Sequence, residues 1–549
     1  MEHRKGKHIL YSICFICFAL IDWCRGSQNW VTWATMINLT GAILAIIMLS
    51  HFQWKKEPIK PYLIWLFFWA TGSVIGENIR YVTPWTIFRS QYWTAAASVC
   101  LVGIVAIRVY RERKQPQIRN MRISYLQLIF TVMSVFMTIS PLGDIWPLGY
   151  LVLFSLFYLI PFSDEEQEEL WSGMADGQIT VFFVLQILAY GFRPYDTLRY
   201  AGIYENCNMN ALFYMVTYVA ILYRAHVLRW HERMDGISLT WKRRIGKLFL
   251  WVLAAGMWGF VMLTMTRTAL AMLVVITVLY GVVEFIILFR ERMPGIFLRG
   301  VALVLGVFIL FPMVYLTVRW LPTILHHPIW FGAEYNVDKV HSFDSFDSEK
   351  YVSWDEVIEG MLGRMGVKLL HSSLKPEVMD VDLPMLASTQ VTSEMMQYEE
   401  NAVWQGKLLE GADAGNSAKL RFRIWELYLK NMNLTGHELE EGYFQITSGY
   451  HAWHAQNVFI QFAFYYGCIA GVLFIILTVC IGIRAVKLIF DKGRCEDILP
   501  LLIGALFLGY GMLECVWYPG QMILLLVYMI PKIMIAHRRD EQKHDTNIV

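Results

Sequence analysis

Apolar runs of bilayer length recur along this chain, separated by short polar or basic interruptions. They cover approximately 8–24, 30–52, 61–76, 94–110, 123–140, 145–162, 178–192, 208–227, 248–265, 268–289, 300–319, 457–483, 498–514 and 521–537. About 20 apolar residues cross ~30 Å of hydrocarbon as a helix, so the pattern predicts about 12 to 14 transmembrane helices. One long interruption breaks it. Residues 320–456 are polar and irregular, followed by renewed hydrophobicity at Val458. The predicted class is an all-α polytopic membrane protein with one large, partly helical extracytoplasmic loop before the third-last helix. It divides into a bundle over 1–319, a loop region over 320–456, and C-terminal helices and tail over 457–549.

Composition agrees with that class. Hydrophobic residues make up 56% of the 549 positions, aromatic residues 15% and charged residues 17%. The net charge of +2 gives no electrostatic basis for a nucleic-acid partner. The nine cysteines fall mostly inside apolar runs and none lies in the long polar segment, so they are not a disulfide framework. Cys14 and Cys17 form a C-x-x-C, but without the βαβ setting of a redox motif.

Sidedness follows from the basic loops. The start (Arg4, Lys5, Lys7) precedes an apolar run with no small-residue cleavage pattern, which predicts an uncleaved first helix with its basic end inside. Alternation then puts 55–60, 108–122, 224–247, 290–299, 484–494 and the tail from His537 on the cytoplasmic side. These loops hold most Lys/Arg clusters. One inner loop, 163–169, is acidic instead. Both termini are expected in the cytoplasm. The opposite face collects 193–208, the corner Thr264-Met265-Thr266-Arg267-Thr268, all of 320–456, and Glu514 to Tyr518.

Within the long segment, Ser417 can cap a helix running to Lys430, ended by Asn431 and Gly436. Arg421 and Trp425 lie four apart and share a face. His451-Ala452-Trp453-His454-Ala455-Gln456-Asn457 then stands at the edge of an apolar run, where ionisable groups are costly and kept for function. Metal readings are weak. Asp344, Asp347 and Glu349 lack calcium-loop spacing, and His451, His454 and Glu440 or Glu441 lack a zinc pattern. Asp380-Val381-Asp382 imitates a nucleotide-sugar D-x-D, but on the face where nucleotide sugars are not supplied. The expectation is therefore no metal and no cofactor.

Four local patterns together resemble the O-antigen ligase and O-antigen polymerase superfamily of bacterial envelope proteins. They are Arg199 to Asn208; Thr266-Arg267-Thr268-Ala269; Ser417 to Trp425 with Gly436-His437-Glu438; and His454-Ala455-Gln456-Asn457 with Gly467 and Gly471. The resemblance covers roughly 190–485. Cys207 stands where that family usually has proline and Thr266 where it usually has serine.

The resemblance implies transfer or polymerisation of glycan units from a polyprenyl-diphosphate donor to a glycan or glycolipid acceptor at the outer face of the bacterial cytoplasmic membrane. Other envelope polysaccharide assembly proteins are candidate partners beside the bilayer itself. Leaving diphosphate gathers negative charge, which suits arginine's planar fork; an acceptor hydroxyl needs a base, for which histidine is the natural choice. The expected catalytic residues are His454, Arg267 and Arg421. The expected substrate-binding residues are Asn457, Arg199, Arg193, Asn206, Asn208, Arg423 and Trp425.

Two other readings compete. A lipid-linked glycan transporter would line a path with mid-span charges, of which Asp22 and Glu284 are the few present. A polyprenyl-phosphate sugar transferase would need Asp22 as its acid, beside a short loop. Polymerase and ligase are not separated by these residues.

Overall fold

The structure is a computed structural model. It describes residues 2–28, 33–51, 124–144, 146–160, 162–192, 199–200, 207–234, 241–288, 294–325, 354–364, 417–447, 450–452, 454–490, 494–514 and 522–535, with a few single positions between them. The predicted spans at 61–76 and 94–110 lie almost wholly outside the described residues, as do 344–349 and 380–382.

The expected all-α class holds. Helices run α1 Glu2–Gln28, α2 Trp33–His51, α3 Tyr125–Thr138, α4 Trp146–Leu159, α5 Asp164–Phe192, α6 Cys207–Met234 and α7 Trp241–Thr264. They continue as α8 Arg267–Leu288, α9 Pro294–Leu325, α10 Trp354–Arg364, α11 Ser417–Lys430, α12 Val458–Phe490, α13 Ile498–Gly511 and α14 Met522–Met529. A two-stranded hairpin, β1 Phe444–Thr447 and β2 Tyr450–Ala452, is the one sheet among the described residues. Among the described residues six helices are long and apolar enough to cross a membrane: α5 to α9 and α12. Shorter apolar helices accompany them, and the chain is a multi-pass membrane protein.

The predicted acidic loop at 163–169 is instead the start of α5. Ser163 Oγ accepts from Glu166 N at 3.2 Å and Glu166 Oε2 accepts from Ser163 N at 3.1 Å, a reciprocal capping box. Carboxylates there also favour the positive end of the helix dipole, so an acidic run reads as a helix start.

The chain forms two compact units. The first comprises 1–22, 31–171 and 403–549; the second comprises 23–30 and 172–402. In the first, α12 packs on α3 and α13, α3 on α4, and α13 on α14. In the second, α7 packs between α6 and α9, with α8 against α6.

The main surprise lies inside α12. Gly467 has φ +88° and ψ 157°, which breaks the helix in two. Gly471 approaches so closely that an added Cβ would lie 2.3 Å from that of Ala463, and the rings of Phe462 and Phe474 stack at 4.3 Å. Residues 12 apart in a straight helix are ~18 Å apart, so the chain folds back on itself at Gly467. Residues 458–466 are a half-helix lying along the first turns of 468–490. The remaining span is ~35 Å at 1.5 Å per residue, enough to cross the hydrocarbon alone.

Candidate functional site

The four sequence patterns meet in two pairs, one pair in each unit. In the second unit the Arg199 segment joins the Thr266 corner. Arg199 donates from Nε to Thr264 O at 3.2 Å, and from Nη2 to Asn208 Oδ1 at 2.8 Å and Thr266 Oγ1 at 3.2 Å. Thr266 donates to Asn208 Oδ1 at 3.2 Å, and Tyr200 N to Leu263 O at 2.9 Å. Gly202, at φ +59°, leaves space that an added Cβ would close against Asn210. Arg199 and Asn208, expected to bind substrate, therefore spend hydrogen bonds on holding the α7–α8 corner. Arg267 opens α8 and stays exposed, with no bonded partner among the described residues. Arg193 and Asn206 lie outside the described residues.

In the first unit α11 docks against the chain leading into α12. Leu420, Ile424, Leu427 and Tyr428 pack with Ile446, Ala452, Ala455 and Phe464. Arg421 Nε donates to Gln456 Oε1 at 3.0 Å. Gln461 Oε1 accepts from Ala455 N at 2.5 Å and fixes the turn after His454. At ~100° per residue Arg421 and Arg423 point about 160° apart, so only Arg421 can face the Gln456 side. Arg423 lies on the other flank, with Nη1 buried and unpartnered.

His454 is half-buried, and its Nδ1, like Trp425 Nε1, is buried with no hydrogen-bond partner among the described residues. A buried polar atom without a partner costs roughly 1–3 kcal/mol, and such atoms in a native fold await a ligand or water. Burial pushes the His454 pKa down to about 4. The ring is thus neutral near pH 7 and a weaker base than the near-neutral histidine expected from sequence. An anion bound beside it would raise its basicity.

Asn457, expected to bind substrate, also has local bonds. Its Oδ1 caps α12 by accepting from Phe459 N at 3.0 Å and Ile460 N at 3.2 Å, while Nδ2 donates to Met512 O at 3.3 Å. Ser417 is the first helical residue of α11, and the side chain of His451 lies outside the described residues.

Two features escaped the sequence reading. The first is the fold-back. Since 458–466 turns back from Gly467, the His454–Asn457 turn lies on the order of 10 Å from that apex, beside the end of α13. The second is strain. Among the described residues the two non-glycine positions with positive φ are Met265 (+50°) and Gln456 (+49°). One sits in each polar cluster, and such strain persists where the surroundings over-determine it, often at functional sites. Gln456 stood inside the His454 pattern, so its position was visible although its role was not.

The crossing that forms the apex is equally specific. Gly436 (φ +96°) and Gly467 pass so closely that a Cβ on either would meet a carbonyl oxygen of the other strand at 2.2 Å. Cys468 N donates to Asn433 O at 2.9 Å, and Ser140 Oγ donates to Tyr465 O. His437 completes the clip, with ring nitrogens 2.6 Å from Glu441 Oε2 and from Asn431 O, stacked on Phe464 at 4.1 Å.

Comparison with known proteins finds no matching family model, no matching curated protein and no matching solved structure.

Proposed function

We propose that this chain is an integral membrane glycan transferase that moves or polymerises polyprenyl-diphosphate-linked oligosaccharides at the outer face of a cytoplasmic membrane. The observation that carries the reading is the first-unit cluster. An arginine is oriented by a strained glutamine, two residues from a neutral histidine with an unpartnered buried nitrogen, all recessed beside apolar helices. Recession favours a substrate that arrives within the lipid phase. A free arginine fork favours an anionic group.

In this reading the acceptor hydroxyl oxygen attacks the anomeric carbon of the donor. The bond from that carbon to the diphosphate oxygen breaks, and its electron pair leaves on polyprenyl diphosphate. Arg421 steadies the charge growing on the diphosphate. The acceptor proton passes to His454, whose basicity rises as the diphosphate approaches. No divalent metal is assigned a role.

The transporter reading leans on Glu284. That carboxylate is enclosed by His226 at 2.7 Å, Arg229 at 3.0 Å and Arg299 at 3.5 Å, which suits a structural tie better than a conduction path. The test uses purified protein in nanodiscs with a synthetic polyprenyl-diphosphate glycan and acceptor. Release of polyprenyl diphosphate with extension of the glycan is expected, lost in Arg421→Ala and His454→Ala and unaffected by EDTA. Flipping of intact donor without bond cleavage would favour transport. Loss of turnover with EDTA, restored by a divalent cation, would overturn the mechanism.

A further inference from the structure

His437 makes two hydrogen bonds that a neutral ring cannot make together. Its Nε2 lies 2.6 Å from Asn431 O and its Nδ1 lies 2.6 Å from Glu441 Oε2. A backbone carbonyl and a carboxylate both accept, whereas neutral imidazole has a single N–H to give. Both bonds close only when the ring carries a second proton, as an imidazolium held between two oxygens. The ring also stacks on Phe464 at 4.1 Å and 13°, an arrangement in which a cation gains from the aromatic face.

The groups around the ring are compatible with that charge. Glu438, Glu440 and Glu441 belong to its own turn. Lys430, at the end of α11, is paired with Glu426 at 2.5 Å. The half-helix contributes Phe464 and Tyr465, and the 140–144 turn contributes Asp144, which accepts from Trp146 Nε1 at 2.8 Å. Among the described residues the one ion-pair partner of His437 is Glu441.

The two bonds and the stack fasten three pieces of chain. Asn431 follows α11, Phe464 lies in the half-helix, and Glu441 lies in the 3₁₀ turn Leu439–Gly442. Glu441 Oε2 also accepts from Glu438 N at 3.3 Å, which closes that turn on itself. The turn is held further by Tyr465 OH, which donates to Leu439 O at 3.2 Å, and by Tyr428 OH, which donates to Gly442 O. Strand β1 starts two residues later, and the hairpin leads to the His454 turn. Removing one ring proton leaves a bare nitrogen 2.6 Å from an oxygen. Asn431 O is fixed in the backbone, whereas the Glu441 side chain is 57% exposed and able to swing away.

We infer that His437 is a proton-controlled latch, whose second proton holds the 438–442 turn against α11 and the half-helix and whose loss releases Glu441 and frees the turn. The bond needs the proton, so the latch is closed at low pH and opens as pH rises. The inference does not depend on the proposed reaction.

The experiment compares the full chain in nanodiscs at about pH 5 and about pH 8, the range over which histidine changes charge. Nitrogen-15 NMR of histidine-labelled protein counts the protons on the ring, with the His437 signals assigned by their loss in His437→Gln. Hydrogen exchange, corrected for its intrinsic pH dependence, follows the Glu438, Glu441 and Tyr443 amides, which are bonded within the turn. Two ring protons are expected at the lower pH, and about tenfold faster corrected exchange at the higher, the effect of losing one charge-assisted hydrogen bond. Glu441→Gln keeps a capping side chain and offers an N–H to the neutral ring, so its turn should stay protected at both pH values. A singly protonated ring at the lower pH, wild-type exchange independent of pH, or an equal pH response in Glu441→Gln would overturn the inference. Glycan transfer is not read at any step, so this result stands apart from the fate of the proposed function.

Discussion

Replacing Gly467 by alanine should unfold the corner that positions the His454 turn. Its φ of +88° and ψ of 157° fall in a region open essentially to glycine alone, so an L-residue there costs of order 1–3 kcal/mol. The added Cβ would also lie 2.2 Å from Leu434 O, a backbone atom that cannot swing aside. Relief requires the 433–436 strand to move, which breaks the Cys468 N to Asn433 O bond and costs roughly 1 kcal/mol more. Together the loss is about 3 kcal/mol, near the upper end of ordinary point mutations. Thermal unfolding of Gly467→Ala, Gly436→Ala and the double variant in nanodiscs measures it. Since both glycines serve one crossing, the double variant should lose clearly less than the sum of the two singles. An alanine at 467 that leaves the unfolding temperature unchanged would refute the fold-back, because a straight helix accepts alanine more readily than glycine.

Three further outcomes follow from the same geometry. Because only neutral imidazole accepts a proton and the free-enzyme pKa of His454 is about 4, kcat/KM should stay flat from pH 8 down and fall only as pH nears 4. A break near 6.5 would mean that the ring is solvated. Gln456→Ala should raise KM about tenfold by leaving the Arg421 fork unoriented, while Arg423→Ala, on the opposite flank, should be much milder than Arg421→Ala; equal effects would refute the helix orientation. Burial pushes the Glu496 pKa up to about 7, so ionisation opposes folding: stability should be highest below the ordinary carboxylate pKa, decline as pH rises toward 7, and level off above it. Glu496→Gln should flatten that slope in urea or thermal titrations.

Helix positions were legible because lipid imposes a simple rule: backbone groups must bond within the segment, so length and hydropathy locate the helix. The α11 boundaries were legible from Ser417 and Asn431 for the same local reason. The break in α12 was not. Phe462, Ala463, Gly471 and Phe474 read equally well as a straight apolar helix, and only the approach of the 433–436 strand makes Gly467 a corner. The hydrogen-bond partners of Asn457 and Arg199 were not legible, because such partners are tertiary facts. An asparagine at a helix start caps it first, and an arginine near three oxygens is spent on them.

A fold-back also answers a physical difficulty that the sequence posed. A histidine and an arginine beside an apolar run need polar partners from the protein itself. A continuous helix could present them only on its lipid face or inside a bundle. The half-helix 458–466 instead places a turn, with its strained Gln456, against the ends of two helices, the start of α12 and the end of α13. Backbone there is already non-helical, and Asn457 bridges the two ends through Met512 O. Irregular backbone at that depth is tolerated only where protein or a water-filled cavity lines it. The buried, unpartnered Nδ1 of His454 is what remains unsatisfied once Gln456, Asn457 and Gln461 have each been used. Under the proposed function, that nitrogen is where the acceptor hydroxyl would hand over its proton.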